Sequence, residues 1–161
     1  MAREMTALAG ASEVFWGGVV SYSNEAKGTF LGVPGALIGQ YGAVSGPVAL
    51  AMVQGIARQS GASLSASTTG IAGPEGGSPE KPVGTVWFGL SAVRDGRSGT
   101  VAVSHRFEGS RAKIQREASR WARKLARSWW ESGMELDSLR SLVDNHGKPF
   151  VEASHSLPGY L

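Results

Sequence analysis

The sequence contains no cysteine among its 161 residues. This absence excludes a disulfide scaffold, thiolate metal sites and a cysteine nucleophile, and it agrees with a reducing compartment such as the cytoplasm. Histidine is scarce too, and the three histidines lie far apart with no carboxylate at ligand spacing: His105, His146 and His155. We therefore expect no metal site.

Long apolar runs are also absent, since no stretch approaches the roughly 18 residues that span a bilayer. The opening residues MAREMTALAG are mixed and charged and lack the unbroken apolar core of a signal peptide. The net charge of +3 is a weak excess that favours anionic ligands only slightly. We expect a cytoplasmic protein with no membrane partner.

Glycine is abundant, with 23 residues, and the 42% of apolar residues is enough for one packed domain. The patterns predict four helices. The first covers residues 2–8, and the second begins at Glu25 with Asn24 as its cap. The third runs from Ser45-Gly-Pro47 to Gly61, and the fourth runs from Glu108 to about residue 132. They predict strands over residues 13–22 (irregular at Gly17-Gly18), 64–69, 83–93 and 100–107, the last two joined as a hairpin. This order predicts an α/β domain, a three-layer α/β/α sandwich with a mixed sheet.

The composition of the sequence changes at Met134, after which one weak helical pattern precedes a polar tail that contains Pro149 and Pro158. We therefore assign the domain to residues 1–133. The tail over residues 134–161 is expected to be poorly ordered and to add little to the core.

The loop over residues 68–77 is the richest candidate site, because hydroxyl residues and glycines follow a strand there. Successive backbone N–H groups in such a loop can hold an anion. The spacing fits neither a Walker loop nor a Rossmann fingerprint. A long loop that needs glycines for its own turns is an equally good interpretation.

A second cluster runs from Ser21 to Lys27, at a strand end that leads into a helix. A lysine one turn into the helix can reach back toward Tyr22, and a desolvated lysine can act as the base for a serine nucleophile. The alternative, which the residues alone favour, is a solvated surface lysine with capping hydroxyls.

The last predicted helix and its approach are rich in basic residues: Arg106, Arg111, Lys113, Arg116, Arg120, Arg123, Lys124 and Arg127. We interpret them as spread around several faces with no aromatic stacking platform, hence as a solvated surface, and expect no nucleic-acid partner. Arg111 differs because it lies in the first turn beside a loop, where it can grip a phosphate.

Several motifs together resemble the CinA C-terminal domain family. They are Gly-Ala-Ser-Glu-Val-Phe (10–15), Gly-Val-Val-Ser-Tyr-Ser-Asn-Glu-Ala-Lys (18–27), Leu-Gly-Val (31–33), Tyr-Gly-Ala-Val-Ser (41–45), Thr-Gly-Ile-Ala-Gly-Pro-Glu-Gly-Gly (69–77) and Lys-Pro-Val-Gly-Thr-Val-Trp (81–87). The resemblance runs in order from residue 1 to about residue 130.

This resemblance implies an amidohydrolase of pyridine nucleotide salvage, which converts the carboxamide of nicotinamide mononucleotide to nicotinate mononucleotide and ammonia by Ser–Lys catalysis. It implies Lys27 as general base, Tyr22 and Ser12 in the proton-transfer network, Thr69 and Gly70 as substrate-holding residues, and Arg111 as the phosphate ligand. It also implies a small-molecule nucleotide as partner, no metal or other cofactor, and a homodimer.

The sequence departs from the family pattern at two places. The family's nucleophile is the serine of an Ala-Glu-Ser-Cys-Thr-Gly-Gly motif, and this sequence starts after the position of that motif. Ser110 stands where the family usually has aspartate. The alternative is therefore a nucleotide-binding module of the same fold with impaired catalysis.

Overall fold

The computed structural model describes residues 1–143 and 150–153, and within them the chain forms seven helices and four strands. The helices are α1 (Ala2–Thr6), α2 (Ala11–Val14), α3 (Asn24–Leu31), α4 (Gly35–Tyr41), α5 (Gly46–Ser60), α6 (Arg111–Glu131) and α7 (Leu136–Val143). The strands are β1 (Leu64–Gly70), β2 (Thr85–Arg94), β3 (Arg97–Arg106) and β4 (Phe150–Ala153). No helix in these ranges combines the length and the apolar character needed to cross a membrane.

The sheet has the order β1-β2-β3-β4, and each of these described pairs is antiparallel. A two-residue turn with positive φ at Asp95 (52°) and Gly96 (73°) joins β2 to β3, as the twist of a hairpin favours. The predicted hairpin is thus confirmed, with strands that extend further into the turn. The sequence predicted a mixed sheet, whereas the three described strand pairs are all antiparallel. A loop joins β1 to β2, the hairpin joins β2 to β3, and the chain passes through α6 and α7 between β3 and β4.

Side chains alternate across the sheet, so that each face packs against a different helix layer. On one face, Phe88 and Leu90 are fully buried in a core that includes Ile114 and Leu125 of α6. On the other face, Ala102 packs with Ala49 of α5. The predicted α/β class and three-layer arrangement are confirmed.

The predicted strand over residues 13–22 is wrong. Helix α2 ends at Val14, and residues 15–22 have no regular structure. Several apolar side chains of this segment are exposed, including Trp16 (59%) and Val20 (86%). Strand propensity depends on a neighbour that supplies ladder hydrogen bonds and packing, and no described strand pairs with this segment.

Helix starts agree with the sequence signals to within three residues, the largest difference being α6, which begins at Arg111 and not at Glu108. The Ser45 side chain accepts from the N–H of Val48 at the start of α5, and Gly61 ends that helix in the left-handed region (φ 63°). The expected cap of α3 is off by one residue, because Ser23 rather than Asn24 accepts from the N–H of Ala26. Helix α4 lies in a segment for which the sequence predicted no element.

The segment after Met134 contributes more than expected. Leu139 of α7 is fully buried in the core beneath α6, which overturns the expectation of little core contribution. Strand β4 extends the sheet beside β3. The expectation of poor order for the remaining tail falls on residues 144–149 and 154–161, outside the described residues.

Helix α5 and helix α3 approach closely at Gly55. A Cβ atom at Gly55 would overlap the carbonyl oxygen of Leu31, whereas a Cβ atom at the helical Gly39 would meet nothing within 4 Å. The side chain of Gln59 also donates to the carbonyl of Phe30 across this contact. Helix α3 therefore packs so closely on α5 that there is no room for a side chain at residue 55.

We expect Gly55→Ala to destabilise the fold by about 1–3 kcal/mol, because the added methyl must push α3 away from α5. The matched variant Gly39→Ala gains the same helix propensity, up to about 1 kcal/mol, without the overlap. Urea unfolding measures both free energies. Equal effects of the two substitutions would contradict the close-contact explanation.

Candidate functional site

The start of α3 folds Lys27 inward. Ser23 caps the helix, and one turn later the Lys27 side chain is buried, with 6% of its surface exposed. Its Nζ donates to the carbonyl oxygens of Ser21 (3.1 Å) and Tyr22 (3.3 Å). The helix and the segment that precedes it are thus fastened together through one amine.

Burial lowers the pKa of the Lys27 amine, because a desolvated ammonium is disfavoured relative to the neutral amine. In the described part of the chain, no carboxylate forms an ion pair with Lys27 that would oppose this effect. A lowered pKa increases the fraction of the amine that is neutral at a given pH, and a neutral amine can accept a proton from a nucleophile.

Arg111 connects three parts of the chain at the first residue of α6. Its Nη1 donates to the carbonyl oxygen of Gly73 (2.8 Å), and its Nη2 lies 3.5 Å from the hydroxyl of Tyr22. Gly73 is buried with a φ of 75°, and a Cβ atom there would meet Val83 at 2.6 Å. The guanidinium has five N–H donors, so donors remain for an anion.

Thr69 and Gly70 lie at the end of β1. The Thr69 hydroxyl is buried and donates to the carbonyl oxygen of Ala43 (2.8 Å), which holds the strand end against the loop before α5. Gly70 is exposed, and a Cβ atom there would meet Val86 at 2.7 Å. The chain continues from these residues to Gly73, so they lie within a few residues of the Arg111 contact.

The structure links Lys27, Tyr22 and Arg111 through hydrogen bonds, and it places Thr69 and Gly70 on the strand that leads to Gly73. Ser12 is different: it is exposed in α2, and within residues 1–143 no hydrogen bond joins it to Lys27, Tyr22 or Arg111. Its predicted place in a proton-transfer network stays a prediction.

Lys81 is a cation that the sequence analysis did not single out. Its Nζ donates to the carbonyl oxygen of Tyr41 (2.6 Å), two residues before the Ala43 carbonyl that binds Thr69. The available signal was a lysine within a glycine- and proline-rich loop, but nothing in the sequence indicates its partner.

Two surface cavities lie elsewhere on the molecule. One, of about 410 Å³, is lined by residues of α4 and α5, and the other, of about 260 Å³, lies between the β2–β3 turn and the end of α6. None of the six predicted site residues lines either cavity. Within residues 1–143 and 150–153, no three histidine, aspartate or glutamate side chains cluster as metal ligands.

Comparison with known proteins identifies clear relatives. The family model for the CinA C-terminal domain matches residues 1–129. A CinA-like protein of Anaeromyxobacter dehalogenans (strain 2CP-C) is 48% identical over 127 residues, which cover 79% of this chain and 30% of that protein. A CinA-like protein of Syntrophomonas wolfei is 47% identical over 133 residues, covering 83% and 31%. The chain thus matches about three-tenths of the length of these curated relatives.

Solved structures give the same result. The competence damage-inducible protein A (ComA) of Klebsiella pneumoniae superposes with a TM-score of 0.68 at 33% identity, covering 75% of this chain and 73% of that one. The competence/damage inducible protein CihA of Agrobacterium tumefaciens superposes with a TM-score of 0.66 at 39% identity, covering 73% and 70%.

The burial of Lys27 predicts a pH dependence of stability. The folded chain holds the Lys27 proton less tightly than the unfolded chain, so this residue makes stability rise with pH between the lowered pKa and the ordinary lysine pKa. We expect Lys27→Met to be most stabilising relative to the parent near pH 7 and to lose that advantage toward about pH 10. Urea unfolding at both pH values measures the difference.

The exposed Lys113 supplies the control, since Lys113→Met removes a lysine that is not buried. Its effect on stability should change little over the same pH interval. A Lys27→Met effect that is equally constant with pH would contradict the desolvation of the amine.

Proposed function

The chain belongs to the CinA C-terminal domain family, and on that premise we propose that it serves the hydrolysis of the carboxamide of nicotinamide mononucleotide. The products are nicotinate mononucleotide and ammonia, in the salvage of pyridine nucleotides in the cytoplasm. The resemblance of the motifs over residues 10–87 to this family supports the assignment, and it also suggests a homodimer.

The observation that carries the proposal is the buried amine of Lys27, which donates to the carbonyl oxygens of Ser21 and Tyr22. The hydroxyl of the same Tyr22 lies 3.5 Å from Arg111. In the proposed reaction the neutral amine takes a proton from a hydroxyl nucleophile as that oxygen attacks the carboxamide carbon. The same proton then passes to the departing nitrogen, which leaves as ammonia while the acyl group stays on the nucleophile as an ester. A water molecule then gives a proton to the amine and attacks the ester carbon, and the amine returns that proton to the nucleophile oxygen, which releases nicotinate mononucleotide. Desolvation suits these transfers, since it brings the pKa of the lysine nearer to neutrality.

Arg111 is proposed to bind the phosphate of the nucleotide. Its side chain is held at the start of α6 by the Gly73 carbonyl, so its orientation is fixed before the ligand arrives. Arginine suits this role because its planar N–H groups match two phosphate oxygens at once. The Tyr22 hydroxyl at 3.5 Å is a loose contact that an anion can replace.

Thr69 and Gly70 are proposed to hold the carboxamide end of the substrate. Gly70 is exposed at the end of β1, so its backbone is open to a ligand on the side away from Val86. The N–H groups of the loop that follows can then face the oxygen on which negative charge develops. In this arrangement the phosphate and the carboxamide lie at the two ends of the segment from Thr69 to Gly73.

A second candidate function is nucleotide binding without turnover. It is favoured by one observation: within the described residues, the Lys27 amine donates to the carbonyl oxygens of Ser21 and Tyr22 and is hydrogen-bonded to no hydroxyl that could act as the nucleophile. A site that keeps the general base and the phosphate-binding arginine but lacks a nucleophile retains affinity for the nucleotide and loses most of the rate of hydrolysis.

Ammonia release from nicotinamide mononucleotide distinguishes the two functions. The chain alone is expected to bind the nucleotide with little turnover, and the same chain preceded by a family segment that carries the serine motif is expected to release ammonia. In the extended chain, Lys27→Ala should lower kcat by at least about 100-fold, the range of a lost general base, whereas Lys113→Ala should not. An inert extended chain that still binds the nucleotide favours the binding module, and full activity of Lys27→Ala overturns the proposed base.

Arg111→Ala is expected to weaken binding of nicotinamide mononucleotide by about 10–100-fold, as loss of charged hydrogen bonds worth about 1.5–3 kcal/mol requires. Titration calorimetry measures this, with nicotinamide riboside, which has no phosphate, as a second ligand. The riboside should bind both proteins equally, and the exposed neighbour variant Arg116→Ala should bind both ligands like the parent. Equal losses for both ligands would contradict phosphate binding by Arg111.

A further inference from the structure

The outward side of α6 carries a single line of cations. At about 100° per residue, six basic side chains fall within an arc of about 100°; they are Lys113, Arg116, Arg120, Arg123, Lys124 and Arg127. The buried residues of the helix lie on the opposite side: Ile114, Ala118, Ala122, Leu125 and Trp129. We call the six cations the basic stripe. These residues were predicted to lie on several faces of the helix, and the geometry of α6 corrects that prediction.

The basic stripe concentrates charge that the rest of the molecule lacks. Helix α6 has seven basic and two acidic residues, an excess of five, whereas the whole chain has a net charge of +3. From Lys113 to Arg127 the stripe extends about 21 Å, at about 1.5 Å per residue. The remainder of the chain is therefore net negative, and the positive field comes mainly from this helix.

Three carboxylates lie beside the stripe. Glu117 pairs with Arg116 and Arg120, Glu4 pairs with Arg123 (3.2 Å), and Glu131 pairs with Arg127 (2.7 Å). The pairs of Arg116, Arg120 and Arg127 involve exposed arginines and contribute about 0–1 kcal/mol each, so an incoming anion can displace them at small cost. Arg123 is half-buried, and its pair with Glu4 joins α1 to α6. Six cations against three carboxylates leave an excess that a polyanion can neutralise.

We propose that the basic stripe binds the phosphodiester backbone of a nucleic acid without reading its sequence. A straight line of cations, four of them arginines, complements a line of phosphates, and release of counterions from the polyanion supplies the free energy. The stripe has no apolar or aromatic side chain of the kind that anchors a protein partner. Trp121 lies beside the arc and is stacked on His105, with ring centroids 4.6 Å apart.

The packing of α6 argues against a membrane surface as the partner. An interfacial helix buries its apolar face in the lipid, but the apolar face of α6 is already buried against the sheet. Arg111 points about 160° away from Lys113 around the helix, so the stripe and the proposed nucleotide site lie on different sides of α6. The two proposals are therefore independent.

Fluorescence anisotropy with a labelled duplex DNA of mixed sequence tests the stripe on the full chain. The affinity should fall with salt at a log–log slope of about −4 to −5, as expected for about five neutralised phosphates, or several hundredfold between about 50 and 200 mM salt. Arg116→Gln/Arg120→Gln should weaken binding by at least about tenfold at low salt and reduce the slope by about two. Arg58→Gln/Arg97→Gln, which removes the same charge from exposed arginines outside α6, should bind like the parent.

Three results would overturn the proposal. One is the absence of saturable binding at low salt, and another is an equal loss in the Arg58/Arg97 variant. The third is equal competition by poly-glutamate at the same ionic strength, which would identify an acidic protein surface as the better partner. Circular dichroism checks that each variant keeps the fold. The variant Arg116→Lys/Arg120→Lys keeps both charges, so its affinity should fall with salt at the same log–log slope as that of the parent.

Discussion

The close approach of α5 to its neighbours is the constraint on which the arrangement of the site depends. Two glycines permit it: Gly55 meets the carbonyl end of α3, and Gly89 of β2 leaves room for the backbone of α5 at Ala49. Ser67 adds a hydrogen bond from β1 to the carbonyl of Ala49 (2.7 Å). Because α5 packs closely on the sheet and α3 packs closely on α5, these backbone contacts fix the position of Lys27 relative to the sheet.

The same constraint brings the two halves of the candidate site to one side of the molecule. The carbonyl of Ala43, in the loop before α5, accepts from the Thr69 hydroxyl, and the carbonyl of Tyr41, at the end of α4, accepts from the Lys81 amine. On the far side of the loop over residues 71–84, Arg111 fixes the carbonyl of Gly73. Loops rich in glycine acquire a defined shape here because cations and hydroxyls from other elements bind their carbonyl oxygens.

Local signals allowed much of the fold to be predicted from the sequence. The cap at Ser45, the glycine at Gly61 and the hairpin at Asp95-Gly96 each depend on residues that are neighbours in the chain. The segment over residues 13–22 failed because a strand requires a partner, which composition does not supply. Leu139 was underestimated for a similar reason, since its burial depends on contacts with α6.

The site was predictable as a set of residue types but not as a set of contacts. Lys27 and Arg111 were identified by the family resemblance, yet the bonds from Arg111 to Gly73 and Tyr22 join residues 38 and 89 positions apart. Lys81 was missed because nothing near it in sequence indicates that its partner is Tyr41. The basic stripe, in contrast, was accessible from spacing alone once the bounds of α6 were known.

The two carbonyls that hold Lys27 belong to a segment without regular structure, and this links proton uptake to backbone position. Ser21 and Tyr22 follow exposed apolar residues such as Trp16 and Val20. A shift of that segment away from α3 would readmit water to the amine and at the same time remove its two carbonyl acceptors. Whatever covers the exposed apolar side chains of this segment therefore also sets the surroundings of the Lys27 amine.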